Sequence, residues 1–122
     1  MAKATGIGGV FLRADRPQML AEWYQRHLGI DMSAGAWMQA AGPTVFAPFA
    51  RDTDYFDADR QVMLNFRVDD LEALIAELDA SGIAVETRAE WNSAIGRFAR
   101  IHDPEGNPVE LWQPAGAAAA GG

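Results

Sequence analysis

The chain has 122 residues, 49% of them hydrophobic, carries a formal net charge of −7 and has no cysteine. That length suits a single domain able to bury roughly two thirds of its unfolded surface. The lack of cysteine excludes disulfides, thiolate metal sites and a cysteine nucleophile; the acidic balance argues against sequence-independent nucleic-acid binding; and no apolar run approaches the roughly 20 residues of a membrane span.

The opening MAKATGIGGVFLR has no apolar h-region or small-residue cleavage site, so a cytoplasmic protein is expected. Residues 9–14 (GVFLRA) alternate in polarity and predict a strand. Asp15 and Pro17 mark a helix start, since proline is tolerated in the first turn, where its missing N–H has no partner anyway. Leu20, Trp23, Tyr24, His27 and Leu28 then form one helical face, and Gly29 supplies a left-handed stop. His27 reads as a packing residue on that stripe. Residues 36–40 and 44–49 predict two short strands, the second demoted to an edge or bulge by Pro48. Residues 50–61 (ARDTDYFDADRQ) are polar and read as a linker; Asp54, Asp57 and Asp59 there fit a solvated loop better than a calcium site.

A strand is predicted at 62–68, followed by a helix. Asp69 and Glu72 suggest a capping box, Leu71, Leu74, Ile75 and Leu78 form the apolar stripe, and Gly82 stops the helix. Strands are predicted near 83–88, 95–102 and 109–113, the last two split by the Asp-Pro-Glu-Gly-Asn turn at 103–107. The tail at 116–122 is low in complexity and predicts disorder.

The chain repeats itself. LRADRPQMLAEWYQRHLGI at 12–30 aligns with FRVDDLEALIAELDASGI at 66–83, pairing Leu12 with Phe66, Arg13 with Arg67 and Gly29 with Gly82. Such self-similarity implies two copies of one supersecondary unit, neither able to bury its apolar face alone.

Strand periodicity divides the side chains between two sheet faces. Val10, Leu12, Ala14, Leu64, Phe66, Val68, Ala99, Ile101, Val109 and Leu111 fall on the natural helix-packing faces. Opposite them lie Phe11 and Arg13; Met63, Asn65 and Arg67; Phe98, Arg100 and His102; and Glu110 with Trp112. This second set mixes aromatic rings with a few polar groups, as a small-molecule pocket does. The other reading is a solvent-exposed sheet face, on which four large apolar side chains together would be unusual.

GVFLRADRPQMLAEWYQRHLGI, NFRVDDLEALIAELDASGI and GRFARIHDPEGNPVELWQP together resemble the glyoxalase / bleomycin-resistance / extradiol-dioxygenase family, the vicinal oxygen chelate superfamily. The resemblance spans nearly the whole chain, and DPEGNPVELW is its most specific part. It implies an α+β fold in which two tandem βαβββ modules form a cupped mixed sheet with helices on the outer face. The modules would cover about 6–50 and 60–115 of a single domain at 1–115. It also implies a homodimer that completes the cup, for which Trp37, Phe46–Phe49 or Tyr55–Phe56 offer apolar surface.

Enzymes of this family hold one divalent metal through residues on matching strands of both modules. Carried over, the two opening-strand positions fall on Gly9 and Met63, and the last strand of the first module offers no donor. Glu110 alone is retained, as a metal ligand and candidate catalytic carboxylate, with His102 a weaker substitute. Zinc or nickel needs about three converging N or O donors, so no resident cofactor is expected unless the site works with Mn, Ni, Zn or Fe. Glu110 has a structural reading as well, an ion pair with Arg100 on the neighbouring strand.

Three functions follow. The first is metal-free binding of a small molecule in a cup lined by Phe11, Arg13, Met63, Asn65, Arg67, Phe98, Arg100 and Trp112, as in drug-sequestering bleomycin-resistance members. The second is a metal-dependent lyase, isomerase or dioxygenase with rearranged ligands. The third is a non-catalytic partner-binding protein that uses only the scaffold. None calls for nucleic acid or a membrane.

Overall fold

The computed structural model describes residues 2–116. Helix α1 spans Pro17–Leu28, strand β1 Leu64–Arg67, helix α2 Leu71–Ala80, strand β2 Gly96–His102 and strand β3 Pro108–Pro114, with a 3-10 turn at Ala89–Trp91. The result is a mixed α+β fold with a small open sheet and two helices.

The sheet order is β1-β3-β2. β3 sits in the middle, parallel to β1 and antiparallel to β2. The β2–β3 hairpin turns through Asp103–Asn107, as the Asp-Pro-Glu-Gly-Asn run predicts. The Asp103 carboxylate accepts from the backbone N–H groups of Glu105 and Asn107, from Asn107 Nδ2, and from the Tyr24 hydroxyl of α1. Four donors on one buried carboxylate tie the turn to the helix.

One face of the sheet carries the core. Ala99, Ile101, Val109 and Leu111 pack with Leu71 and Leu78 of α2 and with Leu20 and Tyr24 of α1. Alternation along β2 and β3 sends these side chains to the helices and leaves Phe98, Arg100, His102, Glu110 and Trp112 on the other face. Both helices follow their apolar stripes. α1 ends at Gly29, in the left-handed conformation at φ 71°, as expected. The N-cap of α2 is Asp70, whose carboxylate takes the N–H of Ala73 at 3.0 Å. This corrects the expected Asp69–Glu72 box by one residue: with Leu71 as the first helical residue, Ala73 supplies the third-position amide that a cap reaches.

The larger difference lies in the first unit. Its helix is present, but 9–14, 36–40 and 44–49 form no strands, and 83–88 contributes only the isolated bridge Glu86–Arg100. The residues at 2–13 and 31–50 are exposed throughout. Alternating polarity prepares a segment for a sheet, yet a strand exists only where a second backbone accepts and donates its hydrogen bonds. These segments find no such backbone among the described residues. The expected tail, beyond Gly116, lies outside the described residues.

Candidate functional site

The register of the three strands places two rows of side chains across the open face. One row runs Asn65, Glu110, Arg100 and the next Arg67, Trp112, Phe98. Six of the residues singled out in the sequence are therefore brought together by pairing alone.

In the second row the Phe98 and Trp112 rings are parallel, 6.0 Å between centroids. Trp112 is only 7% exposed, and its indole N–H donates to the Ile95 carbonyl at 2.9 Å. Phe98, half-buried, is thus the ring of this pair nearer to solvent. Gly96 makes the close approach possible: at φ 142° a Cβ there would stand 2.6 Å from the indole nitrogen. Arg67 turns away, donating to the Ala40 carbonyl at 3.1 Å.

The first row is polar; Glu110 and Arg100 are buried and Asn65 is exposed. Glu110 Oε1 accepts from Asn65 Nδ2 at 2.7 Å, and Oε2 accepts the hydroxyl of Tyr55. Arg100 stands directly opposite Glu110, but the expected ion pair does not form: no carboxylate among the described residues lies within ion-pair distance of Arg100. Tyr55 comes between them. Its carbonyl accepts from an Arg100 terminal nitrogen at 2.9 Å, and its ring lies 5.1 Å from the guanidinium carbon. Trp91 flanks the same guanidinium at 5.3 Å. Arg100 is 5% exposed, and its Nε is buried without a hydrogen-bond partner.

Neither Trp91 nor Tyr55 is among the site residues that the sequence suggests, where Tyr55 figures only as dimer surface. Tyr55 belongs to the polar linker, where the pair Tyr55–Phe56 stands out only by its aromaticity. Phe49 and Phe56 join it, Phe49 packing 5.6 Å from Tyr55 and 5.7 Å from Phe56. Burial first, and then the bond to Glu110, push the Tyr55 hydroxyl up to about 12. It is therefore a neutral donor at physiological pH.

The remaining candidates lie elsewhere. Phe11 is 95% exposed and Arg13 is exposed, both on the unpaired N-terminal segment. Met63 is half-buried beside the start of β1. His102 Nε2 is 3.1 Å from both carboxylate oxygens of Asp57. This contact holds the Asp57 carboxyl below its ordinary range.

A divalent metal does not fit these donors. Both Glu110 oxygens already accept hydrogen bonds, His102 is turned to Asp57, and no three His, Asp or Glu side chains converge among the described residues. What the arrangement can do is bind: a buried cation, a fixed carboxylate and several aromatic rings share one face. No helix among the described residues is long and apolar enough to cross a membrane.

Two solved structures from Streptomyces sp. CB03234 are similar to the chain. One is TnmS3, an antibiotic binding protein, 28% identical, with 84% of this chain and 88% of that chain covered and a TM-score of 0.52. The other is a glyoxalase/bleomycin resistance protein, 30% identical, with 79% and 90% covered and a TM-score of 0.48. No curated protein matches the chain. Residues 9–112 match the model of the glyoxalase-like domain, and the chain belongs to that family, within the vicinal oxygen chelate superfamily.

Proposed function

We propose that this protein is a metal-independent binder of small aromatic molecules, held on the open sheet face between Phe98 and the Asn65–Glu110–Arg100 row. The observation that carries the reading is Arg100, a buried guanidinium with no carboxylate partner and an unpartnered Nε. Burying an unpaired charge is costly. Its retention on a face that also carries Phe98, Trp112 and Trp91 makes sense where that cation recognises a ligand through stacking and hydrogen bonds. The antibiotic-binding relative supports the same class of function. A metal-dependent lyase, isomerase or dioxygenase would need donors that the engaged Glu110 and His102 do not offer.

The binder works as one domain of two modules, about 6–50 and 60–115, and as a homodimer. A second copy supplies the backbone that the extended first-module segments lack. Exposed apolar side chains along those segments support this, Phe46 at 86% exposed among them.

Titration with polycyclic aromatic antibiotics such as doxorubicin, read by tryptophan quenching, tests the function. Saturable binding is expected, weakened about tenfold or more in Phe98→Ala, because a lost aromatic contact is worth about 1 kcal/mol beyond its buried area. Unchanged affinity in that variant would remove Phe98 from the site.

A further inference from the structure

The loop that carries Tyr55 occupies the very face assigned to the ligand. We propose that the Tyr55 side chain is an intramolecular surrogate for that ligand, and that the site takes a neutral hydroxyaryl group. The ligand's ring replaces the tyrosine ring against Arg100 and Trp91, and its O–H donates to Glu110. The inference rests on reading this face as the binding site and names the chemistry the site selects.

Each part of the tyrosine is matched by a feature of the sheet. Its ring lies against the Arg100 guanidinium on one side and meets Trp91 near edge-on, with ring centroids 6.2 Å apart. A planar π-system satisfies a desolvated cation as an aliphatic group cannot. Its hydroxyl meets Glu110, whose other oxygen is fixed by Asn65, so the acceptor is aimed before any ligand arrives. A carboxylate ligand in that position would face Glu110 at contact distance and be repelled. An ether would leave the buried acceptor unpaired, which is where polar sites discriminate most.

The tyrosine can also leave cheaply. Residues 50–61 belong to no helix or strand. Local turns from Thr53 to Ala50 and from Arg60 to Asp57 shape the loop. The Arg100 contact to the Tyr55 carbonyl and the side-chain pair Asp57–His102 anchor the loop. Neither anchor involves the phenol. Rotation about the side-chain bonds of Tyr55 therefore frees the ring position while the loop stays docked. The Phe49 and Trp91 rings, which pack on the tyrosine ring, would wall the vacated space.

The test compares 2-naphthol with 2-methoxynaphthalene by calorimetry on the full chain. Removing the internal competitor in Tyr55→Ala should tighten 2-naphthol binding about tenfold over wild type, and Tyr55→Phe, which keeps the ring packing, should tighten it by a smaller factor. On Tyr55→Ala the methyl ether should bind about tenfold more weakly than the naphthol, and adding Glu110→Ala should abolish that preference. Equal 2-naphthol affinity in wild type, Tyr55→Ala and Tyr55→Phe would overturn the proposal, as would equal affinity for naphthol and ether on Tyr55→Ala. If doxorubicin binding still depends on Phe98 in those cases, the binding function stands and only the surrogate fails. If naphthol binds as expected and Phe98→Ala changes nothing, the surrogate stands and the role of Phe98 falls.

Discussion

The two tyrosines of the chain show how one residue type is used for two purposes. Tyr24 is buried in the core and donates to Asp103 at 2.6 Å, securing the hairpin turn to α1. Tyr55 reaches over the open face from a loop and donates to Glu110. Burial is the larger cause in each case, and the neighbouring carboxylate adds to it, so both hydroxyls are raised above the ordinary tyrosine value of 10.0. A raised folded-state value means that the folded chain holds its proton more tightly than the unfolded chain. The stabilising contribution is then complete below pH 10 and is lost as pH rises, for Tyr55 through about 12. In the folded protein, absorbance at 295 nm should therefore show no tyrosinate step centred at pH 10, and Tyr55→Phe should remove the earlier of two later steps. A full step at pH 10 would mean that neither hydroxyl is held as described. The Asp57 carboxyl runs the other way: His102 lowers it, so its contribution is present at neutral pH and is lost only in acid.

Among the elements, α1 shows what amphipathic spacing can and cannot specify. Its apolar stripe, its proline at the first position and its glycine stop were all legible. Its N-terminal cap was not. Arg16 occupies the N-cap without a side-chain hydrogen bond, and the first turn holds no acidic residue. The missing carboxylate comes from Glu105 in the hairpin turn, which accepts the N–H of Asp15 and of Arg16 at 3.0 Å each. A carboxylate at a helix N-terminus meets unpaired donors and the positive end of the dipole. Glu105→Ala should cost about 1 kcal/mol, seen as a lower urea midpoint with an unchanged slope. A wild-type midpoint would show that water serves those amides equally well. Because Glu105 lies some 90 residues from the helix it caps, no local window of sequence could have revealed the contact.

At the scale of the whole molecule the two halves of the chain differ. The second unit builds a sheet and covers it with α2. The first unit contributes α1 to the same core but leaves its predicted strands without partners. Phe11, Met38 and Phe46 stand in solvent on those segments, and a second copy would supply the backbone they lack in the proposed homodimer. Light scattering coupled to size exclusion should give two chains per particle, and Phe11→Asp should shift the particle toward one. A single chain per particle at every concentration would reject the homodimer and require these segments to close on their own chain.

What the sequence determined by itself is everything that periodicity and local chemistry encode. Helix spans, the hairpin with its Asp-Pro-Glu-Gly-Asn turn and the inward faces of β1 to β3 are readable because each depends on residues close in the chain, and the family resemblance is readable from motifs spread along nearly all of it. The grouping of Asn65, Glu110, Arg100, Phe98 and Trp112 on one face was readable too, since strand alternation alone assigns it. The tertiary structure decided what those residues touch. The sequence predicts that Arg100 and Glu110 pair with each other, yet Tyr55 separates them, because a polar linker folded back over the face has no periodic signal to announce it. Phe11 and Arg13 lie away from that face for a related reason: alternation sets which side of a strand a residue would occupy, whereas only a neighbouring backbone decides whether the strand exists.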